Sequence, residues 1–174
     1  MPSGTHWVAR WQRPWVGLAI AVVVVLLDQW TKQIAVEQLS YRYPVPVTSW
    51  FDWMLTYNTG AAFSFLADAG GWQRYFLSGI ALLVSVFIVV WLWRLAPADR
   101  ALTAPLGLIL GGGVGNLIDR VTEGHVVDFI SLHYEEWYWP AFNLADAAIT
   151  AGASCWLIIM LVGSASPIEK PPVS

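Results

Sequence analysis

"GGGVGNLIDRVTEGHVVDFI", Gly111 to Ile130, is the stretch on which the reading of this chain turns. It begins as a membrane helix would, in glycines and aliphatic residues, then places Asp119 and Asp128 just past the apolar run. A second stretch, "FNLADAAIT" from Phe142 to Thr150, puts Asp146 directly inside the next apolar run. A carboxylate at the centre of a bilayer costs about 2.5–3.5 kcal/mol on insertion scales, so acids at the edges of such segments point to function.

Outward from these stretches the chain reads as membrane-spanning. Of its 174 residues 57% are hydrophobic and only 12% charged, with a mean hydropathy of +0.55. A soluble domain of this length needs a charged surface that this composition does not supply. About 20 apolar residues are needed to cross the hydrocarbon core. The spacing predicts four helices over about residues 15–30, 75–93, 101–118 and 142–162, within one polytopic domain covering 1–174. "LLDQWTK" follows the first apolar run where a small-residue cleavage site would stand, so that run is read as an uncleaved helix. The glycines of "GGGVGN" suit close helix packing.

Lys and Arg near the helix ends set the orientation. Arg10, Arg13, Arg94, Arg100 and Lys170 fall on one side, which is expected to be cytoplasmic together with both termini. Segments 31–74 and 119–141 then face outward. The outer segment 38–70 contains "LSYRYPVPVTSWFDWMLTYNTGAAFSFL", rich in Tyr, Val, Thr, Phe and Trp with Pro and Gly punctuation. That composition favours short strands, expected as a small incomplete sheet on the membrane surface. The C-terminal "SPIEKPPVS" reads as a polar, Pro-rich tail.

Asn143 and Asp146 are three residues apart and share a helix face, and Asn116 and Asp119 repeat that spacing. Both pairs are expected at the outward interface, with Asp128 of "HVVDFI" returning to the same depth. Two carboxyls a few ångströms apart hold one proton between them near neutral pH. That arrangement lets one group take a proton from water while the other protonates a carbonyl oxygen. The asparagines would hold the carboxyls in place. Plainer readings stand beside this one. Asp119 next to Arg120 reads as an interfacial ion pair, Asp28 with Gln29 and Lys32 as an interfacial helix end, and Asn58 as a turn residue before Gly60. The residues alone leave open whether Asp119 or Asp128 partners Asp146.

Other chemistries fit poorly. His6, His125 and His133 show no metal-ligand spacing, and "GGGVGN" lacks the Lys of a phosphate-binding loop. Cys155, the single cysteine, is expected to be a buried structural thiol. A net charge of -3 argues against a nucleic-acid partner. A proton-coupled transporter would also carry membrane acids, but nearer the midplane and often in inverted repeats, which are not seen. A scaffold protein would not explain the convergent acids.

The segments "DQWTK", "YNTGAAFS", "GNLIDR", "VVDFI" and "FNLADAAI", in this order from Asp28 to Ile149, resemble the bacterial lipoprotein signal peptidases (signal peptidase II). The resemblance implies an all-α membrane protein of four transmembrane helices with a small extracytoplasmic β-cradle. It implies an aspartyl endopeptidase of the bacterial inner membrane that needs no cofactor. Its substrates would be diacylglyceryl-modified prolipoproteins, cut just before the lipidated cysteine. Asp128 and Asp146 would be the catalytic pair, with Asp28, Asn58, Asn116, Asp119, Arg120 and Asn143 supporting it or binding substrate. Membrane lipids are the expected surroundings, a monomer the expected state, and the outer face the expected place of the site.

Overall fold

The computed structural model describes residues 5–60 and 71–164. Phe63 and Phe65 of the outer segment, and the tail with Lys170, lie outside the described residues. Among the described residues there are four long helices: α1 (Thr5–Gln38), α2 (Trp72–Arg94), α3 (Thr103–Thr122) and α4 (Leu144–Ser164). Each has a stretch long and apolar enough to cross a membrane. A short 3-10 turn, Pro97–Leu102, leads into α3.

The central helix is α3. Its apolar window is 56% buried, against 17% for those of α2 and α4, and it packs on all three other helices. Glycine makes this possible. A Cβ on Gly107 or Gly111 would run into α1 backbone, at the carbonyls of Gly17 and Ala21, and one on Gly112 would strike the Ala145 carbonyl of α4. The close-packing role read for "GGGVGN" is what the structure shows. Away from these contacts α1, α2 and α3 enclose an apolar core of Ala21, Ile88, Leu92, Leu95, Leu102, Leu106 and Leu110.

At their outer ends α1 and α3 extend beyond the expected bounds for one physical reason. Their polar outer turns face inward, so hydrophobicity falls while the helix continues. Asp28 and Lys32 are buried on α1, whereas Leu27, Trp30 and Ile34 of the same turns are exposed. α3 ends where Glu123 and Gly124 both donate to the Asp119 carbonyl and Gly124 adopts φ 81°. Asp28 is therefore no interfacial helix end. Cys155 also departs from expectation: it is exposed on α4 rather than buried.

The sheet differs from the expected one in its composition. It has four strands in the order β1 (Val45–Pro46), β2 (Phe51–Asn58), β3 (Val126–Tyr134) and β4 (Trp137–Tyr138), all antiparallel. Half of it comes from the 119–141 segment, not from 38–70. β2 meets β3 with Thr56 opposite Asp128 and Asn58 opposite Val126, after an irregularity between Trp53 and Thr56. β3 carries four successive buried residues, Val126 to Phe129. A strand covered on both faces shows no period-two alternation, which is why "HVVDFI" reads as a return to the membrane.

Candidate active site

The outer ends of α1 and α3, the first turn of α4 and strand β3 meet in one polar cluster. α4 begins with a reciprocal cap. The Asn143 side-chain oxygen accepts the Asp146 N–H at 2.9 Å, and the Asp146 carboxyl accepts the Asn143 N–H at 3.4 Å. This is a capping box, with the N-cap residue and the residue three on satisfying each other's orphan donors. It fixes the Asn143 amide so that Nδ2 points away from the helix, where it donates to Asp128 Oδ1 at 2.7 Å. One asparagine thus touches both carboxyls. Its Nδ2 also lies 3.2 Å from Asn116 Oδ1 and from the Val127 carbonyl.

Asn116 does for Asp146 what Asn143 does for Asp128. Its Nδ2 donates to Asp146 Oδ1 at 2.7 Å. Asp128 is buried on β3, while Asp146 is half-buried at the edge of the cluster. Burial first, and then the neighbouring negative charge of Asp146, push the Asp128 carboxyl from its ordinary 3.8 up to about 7, against the opposing hydrogen bonds of Asn58 and Asn143. Asn58 therefore reaches Asp128 across the β2–β3 pair, and its Oδ1 accepts the Gly60 N–H at 2.9 Å. One amide thus serves the turn before Gly60 and also meets Asp128.

Behind this pair lies a buried ionic layer. Lys32 Nζ sits 2.8 Å from Asp28 Oδ2 and 2.8 Å from Asp119 Oδ2, with all three side chains almost wholly buried. Removing one member of such a set strands the others and costs about 3–5 kcal/mol. Gln29 Nε2 donates to Asp119 Oδ1 at 2.7 Å and to Asp28 Oδ2 at 3.2 Å, filling remaining acceptor sites. Asp28 Oδ1 accepts the Ala145 N–H at 2.9 Å, so a carboxylate of α1 caps the positive end of α4. Asp119 Oδ2 accepts the Val127 N–H at 3.1 Å and anchors β3 beside the helices. The ion pair expected between Asp119 and Arg120 is replaced by this one. Arg120 turns the other way around α3, donates to the Asn116 carbonyl at 3.2 Å, and its charge is felt by Asp146, Asp128 and Asp119.

All eight residues singled out in the sequence (Asp28, Asn58, Asn116, Asp119, Arg120, Asp128, Asn143 and Asp146) fall in this cluster. Lys32 and Gln29 were missed as members. The signal was present: a lysine four residues after an aspartate shares its helix face, and a buried charge in a membrane helix needs a partner.

The family described as Signal peptidase (SPase) II matches residues 20–162 of this chain. The chain belongs to the signal peptidase II family. It is 54% identical over 144 residues to the lipoprotein signal peptidase of Acinetobacter baumannii (strain ATCC 17978), a match covering 83% of this chain and 81% of that protein. To the lipoprotein signal peptidase of Cupriavidus taiwanensis it is 47% identical over 157 residues, covering 90% of this chain and 86% of the relative. A solved bacterial membrane enzyme superposes with a TM-score of 0.76 at 28% identity, covering 90% of this chain and 94% of that one. As a signal peptidase II the protein is a bacterial membrane protease that removes signal peptides from prolipoproteins. The transporter alternative has no support in these relatives.

Proposed function

We propose that Asp128 and Asp146 are the catalytic pair, and that they cut the substrate just before a diacylglyceryl-modified cysteine at the outer face of the membrane. The observation that carries this reading is the Asn143 amide, capped onto Asp146 and donating at 2.7 Å to Asp128. It holds two carboxyls near one another, one buried and one half-buried beside the outer sheet. The reaction needs one base and one acid, and the pair supplies both, so it calls for no cofactor. One carboxylate takes a proton from water as the water oxygen bonds to the scissile carbonyl carbon, while the other carboxyl gives its proton to the carbonyl oxygen. The proton taken from water then goes to the amide nitrogen and the C–N bond breaks. A hydroxyl proton of the intermediate returns to the second carboxyl as the carbonyl re-forms, leaving the pair as it began.

Asn116 and Asn143 orient the carboxyls, Asp28 and Asp119 hold α4 and β3, and Arg120 offsets the charge of the pair. The chain acts as a monomer in this proposal, because the reaction as written calls on no residue of a second copy. Both termini face the cytoplasm, on the side of Arg94 and Arg100, and the sheet faces outward. The direct test is cleavage of a diacylglyceryl-modified prolipoprotein by the purified protein in detergent, followed by the appearance of the shortened product.

The acid must be protonated to act. Below pH 7 the Asp128 carboxyl, raised to about 7, carries a proton that it loses as the pH rises. The kcat/KM profile is therefore expected to fall on its alkaline side near neutral pH, in the sense opposite to a lysine or histidine base. A profile flat from pH 6 to about 9 would remove Asp128 as the acid.

Asn58→Ala removes an amide from Asp128 while leaving the helix packing untouched. Loss of a hydrogen bond to a carboxyl is worth about 1.5–3 kcal/mol, or roughly tenfold to a hundredfold in rate. Cleavage is expected to fall by that factor with only a small drop in melting temperature from the lost turn hydrogen bond to Gly60, and a wild-type rate would take Asn58 out of the site.

A further inference from the structure

Lys32 lies behind the two carboxyls and contacts neither, yet its geometry bears on one of them. An ammonium has three N–H donors and no acceptor. Here all three are used: Asp28 Oδ2 at 2.8 Å, Asp119 Oδ2 at 2.8 Å, and Asn116 Oδ1 at 3.0 Å. The third contact decides how Asn116 sits. Which end of an asparagine amide is oxygen follows from the partners around it. With a donor-only cation on one side, together with Asn143 Nδ2 at 3.2 Å, that end is the oxygen. The NH₂ end must then face Asp146 Oδ1 at 2.7 Å. Turning the amide over would set NH₂ against the ammonium and an oxygen against the carboxylate. Neither contact could form.

We propose that Lys32 is a positioning residue of the reaction: its ammonium locks the Asn116 amide so that a donor always faces the Asp146 carboxyl and holds it in place. Asn143 needs no such lock, because its oxygen is held by the Asp146 N–H. Each carboxyl of the pair thus faces an amide donor, one amide fixed by a helix N-terminus and the other by a buried cation. The charged groups facing this arrangement are Asp28 and Lys32 from α1, Asp119 and Arg120 from α3, Asp128 from β3 and Asp146 from α4. Of these, Lys32 and Arg120 are the cations, and Lys32 alone is held on Asn116 Oδ1. Its positive charge also favours the ionised form of Asp128.

The inference rests on Asp128 and Asp146 being the catalytic pair, and the test separates the two readings. Lys32→Gln alone would leave two buried carboxylates without their cation. The charge-balanced variant Lys32→Gln/Asp28→Asn loses one cation and one anion and keeps an oxygen on the Ala145 N–H. Folding is checked by melting in detergent, and cleavage of the lipidated precursor is followed across pH. The expected result for the double variant is a kcat lower by about tenfold to a hundredfold, the worth of an oriented hydrogen bond to a charged group. KM should stay within about twofold, and the acidic limb of the pH profile, set by the base of the pair, should move to higher pH, because a carboxylate that loses a hydrogen-bond donor ionises less readily while the cation and anion lost together offset one another. Lys32→Arg, which keeps the charge and the donors, should leave that limb where it is. A folded double variant with an unmoved acidic limb and wild-type kcat overturns the role of Lys32, as does a shift of that limb by Lys32→Arg equal to that of the double variant. Activity retained by Asp128→Asn would instead overturn the catalytic pair.

Discussion

Asp128→Asn and Asp146→Asn are each expected to abolish detectable cleavage while the protein stays folded. Each proton transfer contributes about 10²–10⁴-fold, and each carboxyl takes part in both halves of the reaction, so losing either removes turnover. The stability of the two variants makes the result readable. In the folded protein Asp128 is raised from 3.8 to about 7, so between those pH values the folded state holds a proton that the unfolded chain has released. Stability contributed by that proton is present at low pH and is lost as the pH rises toward 7. Asparagine imitates the protonated carboxyl at every pH. Asp128→Asn should therefore melt no lower than the native protein at neutral pH, and higher if the cost of ionising a buried acid is relieved. A dead enzyme that is at least as stable cannot be explained by unfolding. Asp119→Asn should be milder, because Asp119 touches Lys32, Gln29 and the Val127 amide but neither carboxyl of the pair. Substantial cleavage by Asp128→Asn together with none by Asp119→Asn would show that Asp119, not Asp128, is the partner of Asp146.

The membrane spans were legible because length and hydrophobicity alone define them, and the Asn116–Asp119 pair because a spacing of three fixes a shared helix face, whereas Asn143 precedes α4 and meets Asp146 as its N-cap rather than across a face. What escaped the sequence was non-local. Strand β3 is buried on both faces, so its apolar run carries no alternation, and its pairing with β2 joins residues such as Thr56 and Asp128 that no local pattern relates. The partner of Asp119 was misread for the same reason. Arg120 is adjacent in the chain, but adjacent residues point to different sides of a helix, whereas Lys32 arrives from α1 across the interface. The outer turns of α1 look like a helix end on a hydropathy scale. They are a helix interior whose polar face is satisfied by α3 and α4.

An unlipidated precursor is expected to be cut far more slowly than the diacylglyceryl-modified one at matched concentration in the same detergent. The signal segment of either precursor partitions into the micelle, so the comparison isolates what the lipid adds at the site. The cluster lies where α1 and α3 end and α4 begins, beside the sheet, and Trp53 and Trp137 on that sheet, with Trp50 and Trp139 next to its strands, are exposed. Aromatic side chains of this kind settle at the membrane interface, which sets the depth of Asp128 and Asp146. A cysteine carrying two acyl chains is held at that same depth, because each buried methylene contributes about 0.8 kcal/mol and two chains anchor far more firmly than one. The peptide bond before the cysteine is then presented at the level of the carboxyls without further ordering. Without the chains the bond samples other depths, and a displacement of about 1 Å at a reacting centre is enough to cost roughly a hundredfold. A fall in kcat/KM of that order or more is the expected outcome. Equal rates for the two precursors would mean that the lipid plays no part in presenting the bond, and that the site accepts any signal segment able to reach Asp128 and Asp146.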